Sequence, residues 1–166
     1  ILISPMIVPL IITAAGMFFF YARINLVYTF TGVILAHVAL ATPFVVITVT
    51  ATLVGFDMNM VKASQSLGAK PLRTFFKVIM PLILPGVISG ALFAFITSFD
   101  EVVIVMFMAS LDQLTIPKQM WAGIRQEISP VILCMATCLV VLSIFLLTTV
   151  ELLRRRSEKL RGITAR

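Results

Sequence analysis

Charge is the commodity this chain has least of. Of its 166 residues, 12% are Asp, Glu, Lys or Arg, while 60% are hydrophobic. Soluble domains carry about 25% charged residues, so a water-soluble globular fold is excluded. The scarcity is also uneven. Residues 1–22 carry no charge, 24–56 carry only His37, and 78–99 and 128–150 carry none. About 20 apolar residues cross a bilayer, and each run is long enough. The chain reads as an all-α polytopic membrane protein.

Other absences narrow the function. There is one His, and neither GxxxxGK[ST] nor GxGxxG occurs. No nucleophile–base pair and no phosphate-binding loop can be built from this sequence, so no catalytic, cofactor or metal residues are expected. The two cysteines, Cys134 and Cys138, fall four apart in the last apolar run. That spacing suits small buried hydrophobes better than a disulfide or metal site. The chain opens on Ile1 inside an apolar run, without Met or a charged flank. A signal peptide starts with positive charge, so the expectation is the C-terminal part of a longer protein.

Four helices are expected near 2–22, 28–54, 82–110 and 129–152, because helices satisfy their own backbone within lipid. Asp100 and Glu101 interrupt the third, predicting a break near 98–100 and a second apolar piece over 102–111. Gly86, Ser89, Gly90, Ala91 and Ala94 permit close helix packing at the start of that helix. Pro5, Pro9, Pro43 and Pro85 lie within or at the ends of spans, where neighbouring helices can re-satisfy the backbone.

The positive charges set an orientation. Lys62, Lys70, Arg73 and Lys77 lie between the second and third runs, and Arg154, Arg155, Arg156, Lys159, Arg161 and Arg166 follow the last. Only Arg23, Lys118 and Arg125 occupy the other connections. The positive-inside rule then makes the 57–81 loop and the 153–166 tail cytoplasmic. The net charge of +6 is a topology signal, and no nucleic acid partner is implied.

What stands out is the polar island at 61–81, VKASQSLGAKPLRTFFKVIMP. It predicts two short helices: the first over 61–67, Gly68 as a C-cap, and Pro71 opening the second. Leu72, Phe75, Phe76 and Ile79 recur at helical spacing and make one apolar face. Two readings fit that face: a surface loop lying on anionic lipid, or a helix that inserts into a groove on a soluble partner.

The island resembles the EAA loop of binding-protein-dependent ABC transporter permeases. That family's consensus runs Glu-Ala-Ala, three residues, Gly, nine residues, Ile, one residue, Leu-Pro. Here the positions read Lys62-Ala63-Ser64, Gly68, Val78, Met80-Pro81. Lys62 reverses the charge of the usual Glu, Gly68-Ala69 and Pro81 are kept, Val78 and Met80 are mild changes, and the coupling role rests on Gly68, the Phe75–Phe76 face and Pro81. SPMIVPLII, ILAHVALATPFVVITVTATL, SFDEVVIVMF and LTIPKQMWAGIRQEISP are similar to spermidine/putrescine-type permease subunits, covering essentially the whole chain as the last four of about six family spans. The resemblance implies a permease domain over 1–152 followed by the basic tail, in the cell inner membrane. It also implies a coupling helix seated on an ATP-binding-cassette ATPase, a second permease subunit, an external solute-binding protein, and transport by alternating access. A secondary transporter or channel would need no docking surface. Such folds often show internal repeats and midplane ionisable groups, neither of which is evident here. A structural subunit of a membrane complex is a third reading.

Candidate solute-path residues are few. Acids embedded among apolar residues face a cavity or a partner, which points to Asp100 and Glu101, roughly 28 Å along the helix from Pro81 and so toward the outer mouth. Two carboxylates there suit a cationic solute. Alternatively they end a helix, or pair with Arg23 or Arg125. His37 either bonds a neighbouring helix or lines the path. Trp121 suits an outer interfacial belt, and its segment is also a candidate contact for the external protein. Thr48, Thr50 and Thr52 are expected to bond their own helix backbone.

Overall fold

The computed structural model describes residues 2–126 and 130–160. Among these the chain is helical: α1 (Ser4–Ile7), α2 (Leu10–Arg23), α3 (Phe30–Val54), α4 (Asn59–Ser66), α5 (Pro71–Thr74), a π turn (Phe75–Ile79), α6 (Met80–Phe99), α7 (Val103–Met108), α8 (Ile116–Gln126) and α9 (Pro130–Leu160). Three helices are long and apolar enough to span a membrane: α3, the continuous 29-residue helix Pro71–Phe99, and residues 130–149 of α9.

The first expected span is split. Val8 and Pro9 are extended, and Pro9 opens α2 instead of continuing α1. Proline lacks the N–H that would bond back into α1 and holds its own φ near −65°, so the run becomes one short turn and a 14-residue helix. The third span also differs from expectation. It begins at Pro71, not 82, because the loop's second helix runs into α6 without a break. It ends at Phe99, and α7 re-forms at Val103, the break anticipated beside Asp100.

α3 and α6 form the backbone of the bundle. They run antiparallel, with Gly86 against Thr52 and Thr48, Gly90 against Thr48 and Val45, and Ser98 opposite His37. A Cβ on Gly86 would collide with Thr52 Oγ1, and one on Gly90 with Thr48 Oγ1 and, at 3.0 Å, the Val45 Cα. In lipid, helices gain little from burying apolar surface against each other, and close backbone approach at small residues supplies the contact. Thr48 and Thr52 turn their hydroxyls onto the Phe44, Val45 and Thr48 carbonyls, so no polar group is stranded at this seam.

The second packed region lies toward the α3 N-terminus. Ile104 and Met108 of α7 are buried with Ala14 of α2 and with Ala36 and Leu40 of α3. Tyr28 N donates to Met108 O at 2.9 Å, and Gln113 Nε2 donates to Tyr28 O at 3.1 Å. Lys118 Nζ reaches the Ala109 carbonyl at 3.3 Å, a cation at the C-terminal end of α7 that the helix dipole favours. Thr29 opens α3 by accepting from Gly32 N at 3.0 Å, a Thr N-cap.

α9 packs chiefly on α8 and leaves most of its surface open. Cys134 and Cys138 are therefore exposed free thiols, against the buried placement their spacing suggested. The basic tail begins within α9; Arg161 and Arg166 lie outside the described residues.

Candidate functional site

The island at 57–81 folds as a bent two-helix unit. α4 closes in a full Schellman turn: Gly68 N donates to Gln65 O at 2.9 Å and Ala69 N to Ser64 O at 3.1 Å. Gly68 sits at φ +78°, a left-handed conformation that glycine adopts without the Cβ penalty. Lys70 is extended, and Pro71 starts α5. Ser64 Oγ and Thr74 Oγ1 then share a hydrogen bond of 2.9 Å across the bend, with Thr74 only 2% exposed. The two limbs are joined by their own side chains.

Beyond the bend, the π turn hands the unit to the membrane span. Pro81 stands in the first turn of α6, and its ring crowds the carbonyl of Lys77 four residues back. A widened turn over Phe75–Ile79 gives that carbonyl room, and such turns are frequent at functional sites. Phe75 and Phe76 lie ring edge to ring face at 5.1 Å. Leu67 (89% exposed), Leu72 (75%) and Phe76 carry apolar surface outward. Lys62 and Ala63 are exposed on α4, Ala69 is half-buried, and Met80 and Pro81 lead into α6.

The second place of interest lies at the break between α6 and α7. A cavity of about 530 Å³ is lined by His37, Ser98, Glu101 and Thr115 together with apolar residues of α3, α6 and α8. His37 Nδ1 is 2.8 Å from Ser98 Oγ. Glu101 is 6% exposed, and its Oε1 accepts from Ile104 N at 2.7 Å. That carboxylate caps the first turn of α7, where both the free N–H groups and the helix dipole favour an anion.

The neighbouring Asp100 behaves differently. It is exposed, ends α6, and borders a separate cavity between α6, α8 and α9. The adjacent acids thus serve two cavities. His37, level with Ser98, is eight residues or roughly 12 Å into α3 from Thr29, and α7 continues past the break to reach Tyr28. Arg125 packs over the Trp121 ring at 5.6 Å and not on either acid.

Three polar residues of these sites, Thr74, Ser98 and Thr115, were not anticipated. Thr74 was overlooked because aromatic and basic neighbours dominate its segment. Ser98 was read only as part of the break, although its position one helical level from His37 follows once α3 and α6 are set antiparallel through Gly86 and Gly90.

Among the described residues, three helices long and apolar enough to span a membrane, a polar loop continuous with one of them, and a helix break that brings His37, Ser98 and Glu101 to an open, mostly apolar cavity define a polytopic helical membrane protein. The chain matches, over residues 1–159, the family described as "binding-protein-dependent transport system inner membrane component", and it belongs to that family. It is 31% identical over 153 residues to the spermidine/putrescine transport system permease protein PotC of Haemophilus influenzae, covering 92% of this chain and 60% of that protein. To the PotC protein of Escherichia coli K12 it is 30% identical over 154 residues (93% and 58%). To the putrescine transport system permease protein PotI of the same organism it is 36% identical over 103 residues (62% and 37%). The chain spans about 60% of the length of the PotC relatives it matches.

Proposed function

We propose that this chain forms the transmembrane domain (1–152) of a permease subunit in an ATP-binding-cassette importer, with the 57–81 loop as its coupling element on the cytoplasmic side. The observation that carries this is the continuity of the loop with a span. The bend fixed by Gly68 and the Ser64–Thr74 hydrogen bond leads through the π turn into α6. A push on such a unit moves α6 as a lever, whereas a loop lying passively on lipid needs no internal latch. The partners are a separate ATP-hydrolysing subunit, a second permease subunit and an external solute-binding protein. The chain itself carries no catalytic role in this reading.

The solute is a polyamine of the spermidine/putrescine kind, as the names of the relatives suggest. The cavity at His37, Ser98 and Glu101 supports a cationic solute, since its buried carboxylate uses one oxygen on Ile104 N and a carboxylate has two. The test is co-purification of the ATP-hydrolysing subunit with the full-length protein, wild type against Gly68→Asp with Ala69→Asp. The variant is expected to lose the subunit and uptake together. Retention of both sinks the coupling assignment. Uptake measured against a panel of polyamines, amino acids and anions tests the solute; uptake confined to anions contradicts it.

A further inference from the structure

The coupling unit presents more than a convex apolar face. Between α4 and the α5–π limb lies an open cleft of about 770 Å³. One wall is α4, with Met60, Ala63 and Leu67; the other carries Arg73 and Lys77. The α4 wall follows helical spacing, so the small and apolar side chains fall on one stripe. Lys62 is exposed and does not line the cleft. The cleft is therefore a socket with an apolar side and a cationic side. Around it the loop exposes Lys62 and Lys70, against Asp57 as the loop's one acid.

We infer that this cleft receives an acidic segment of the ATP-hydrolysing partner, with an apolar side chain against Met60 and Leu67 and a carboxylate between Arg73 and Lys77. The inference rests on the coupling role proposed above and adds its polarity: the loop both inserts and receives, and the receiving side selects negative charge. Charge complementarity commits the cleft to that occupant. An acidic segment gains charge-assisted bonds to Arg73, whereas a basic segment meets the like charges of Arg73 and Lys77. The apolar wall distinguishes this from attraction to lipid headgroups, which offer charge but no apolar partner for Met60 and Leu67.

The test uses the full-length complex in phosphatidylcholine nanodiscs, stripped of the ATP-hydrolysing subunit, which is then titrated back. Arg73→Glu with Lys77→Glu is expected to weaken re-binding on the order of tenfold and to flatten its salt dependence. Arg73→Gln with Lys77→Gln, the milder pair, is expected to shift re-binding in the same direction by less. Wild-type re-binding by both pairs, while Gly68→Asp still releases the subunit, overturns the cleft and leaves the coupling role standing. Wild-type re-binding by all three variants overturns both. The same titration is run in nanodiscs containing phosphatidylglycerol; loss confined to those discs assigns the cations to the lipid surface and overturns the inference as well.

Discussion

Ser64 Oγ lies 2.9 Å from Thr74 Oγ1, and this bond ties the two limbs of the 57–81 unit across the Gly68 bend. Thr74 is buried while its neighbours Arg73 and Phe75 are exposed. Its hydroxyl is thus a structural link held where water cannot compete.

Replacing Thr74 with Val keeps the shape and removes the hydroxyl. The expected loss is about 1 kcal/mol of stability, read as thermal unfolding of the full-length protein in detergent. Ser64→Ala should lose a similar amount, and the double variant no more than either single one, since both delete the same bond. Solute taken up per ATP hydrolysed should fall in all three, because a loosened bend absorbs part of the stroke.

Gly68 tests the bend itself. No atom lies within 4 Å of a Cβ placed there, so any cost is backbone strain and not collision. Gly68→Ala should destabilise the unit by about 1–2 kcal/mol. Gly68→Asn should cost less, since asparagine tolerates the left-handed region. Equal losses for the two in thermal unfolding would show that the bend does not depend on that conformation.

The α3–α6 seam gives a steric prediction. Gly86→Ala should cost about 1–3 kcal/mol by overpacking, measured by the same unfolding assay. Thr52→Ala in the Gly86→Ala background should recover part of the loss by removing the colliding Oγ1 atom. A double variant less stable than Gly86→Ala alone would contradict the close approach.

Glu101 carries two separable effects. Glu101→Ala removes the acceptor for Ile104 N and should cost about 1 kcal/mol, the usual worth of a lost helix cap. Glu101→Gln retains an acceptor oxygen, so unfolding should change little while the concentration of polyamine needed for half-maximal uptake rises. Asp100→Asn, on the exposed side, should affect uptake less. Uptake unchanged in Glu101→Gln would remove this carboxylate from the solute path.

Much of this was legible before the fold. Gly68 and Pro71 announced the bend because each has a backbone preference of its own. Asp100 and Glu101 announced the break because charge is costly within an apolar run. Packing was harder to read. α3 is apolar on every side, so its periodicity does not say which face meets α6; Gly86 and Gly90 say it, through the space they leave for Thr48 and Thr52. The split at Pro9 was obscured because proline is tolerated within membrane helices, and the exposure of Cys134 and Cys138 because an apolar helix looks the same whether lipid or protein covers it. The π turn leaves no mark of its own in the sequence, though Pro81 supplies its cause.

The central claim is that the 57–81 unit transmits ATP hydrolysis to the membrane spans. The most direct measurement is ATP hydrolysis by the full-length complex in proteoliposomes, with and without the external binding protein loaded with polyamine. Wild type should be stimulated by the loaded protein, and Gly68→Asp with Ala69→Asp should not be, although the spans remain folded. Undiminished stimulation in that variant would contradict the account.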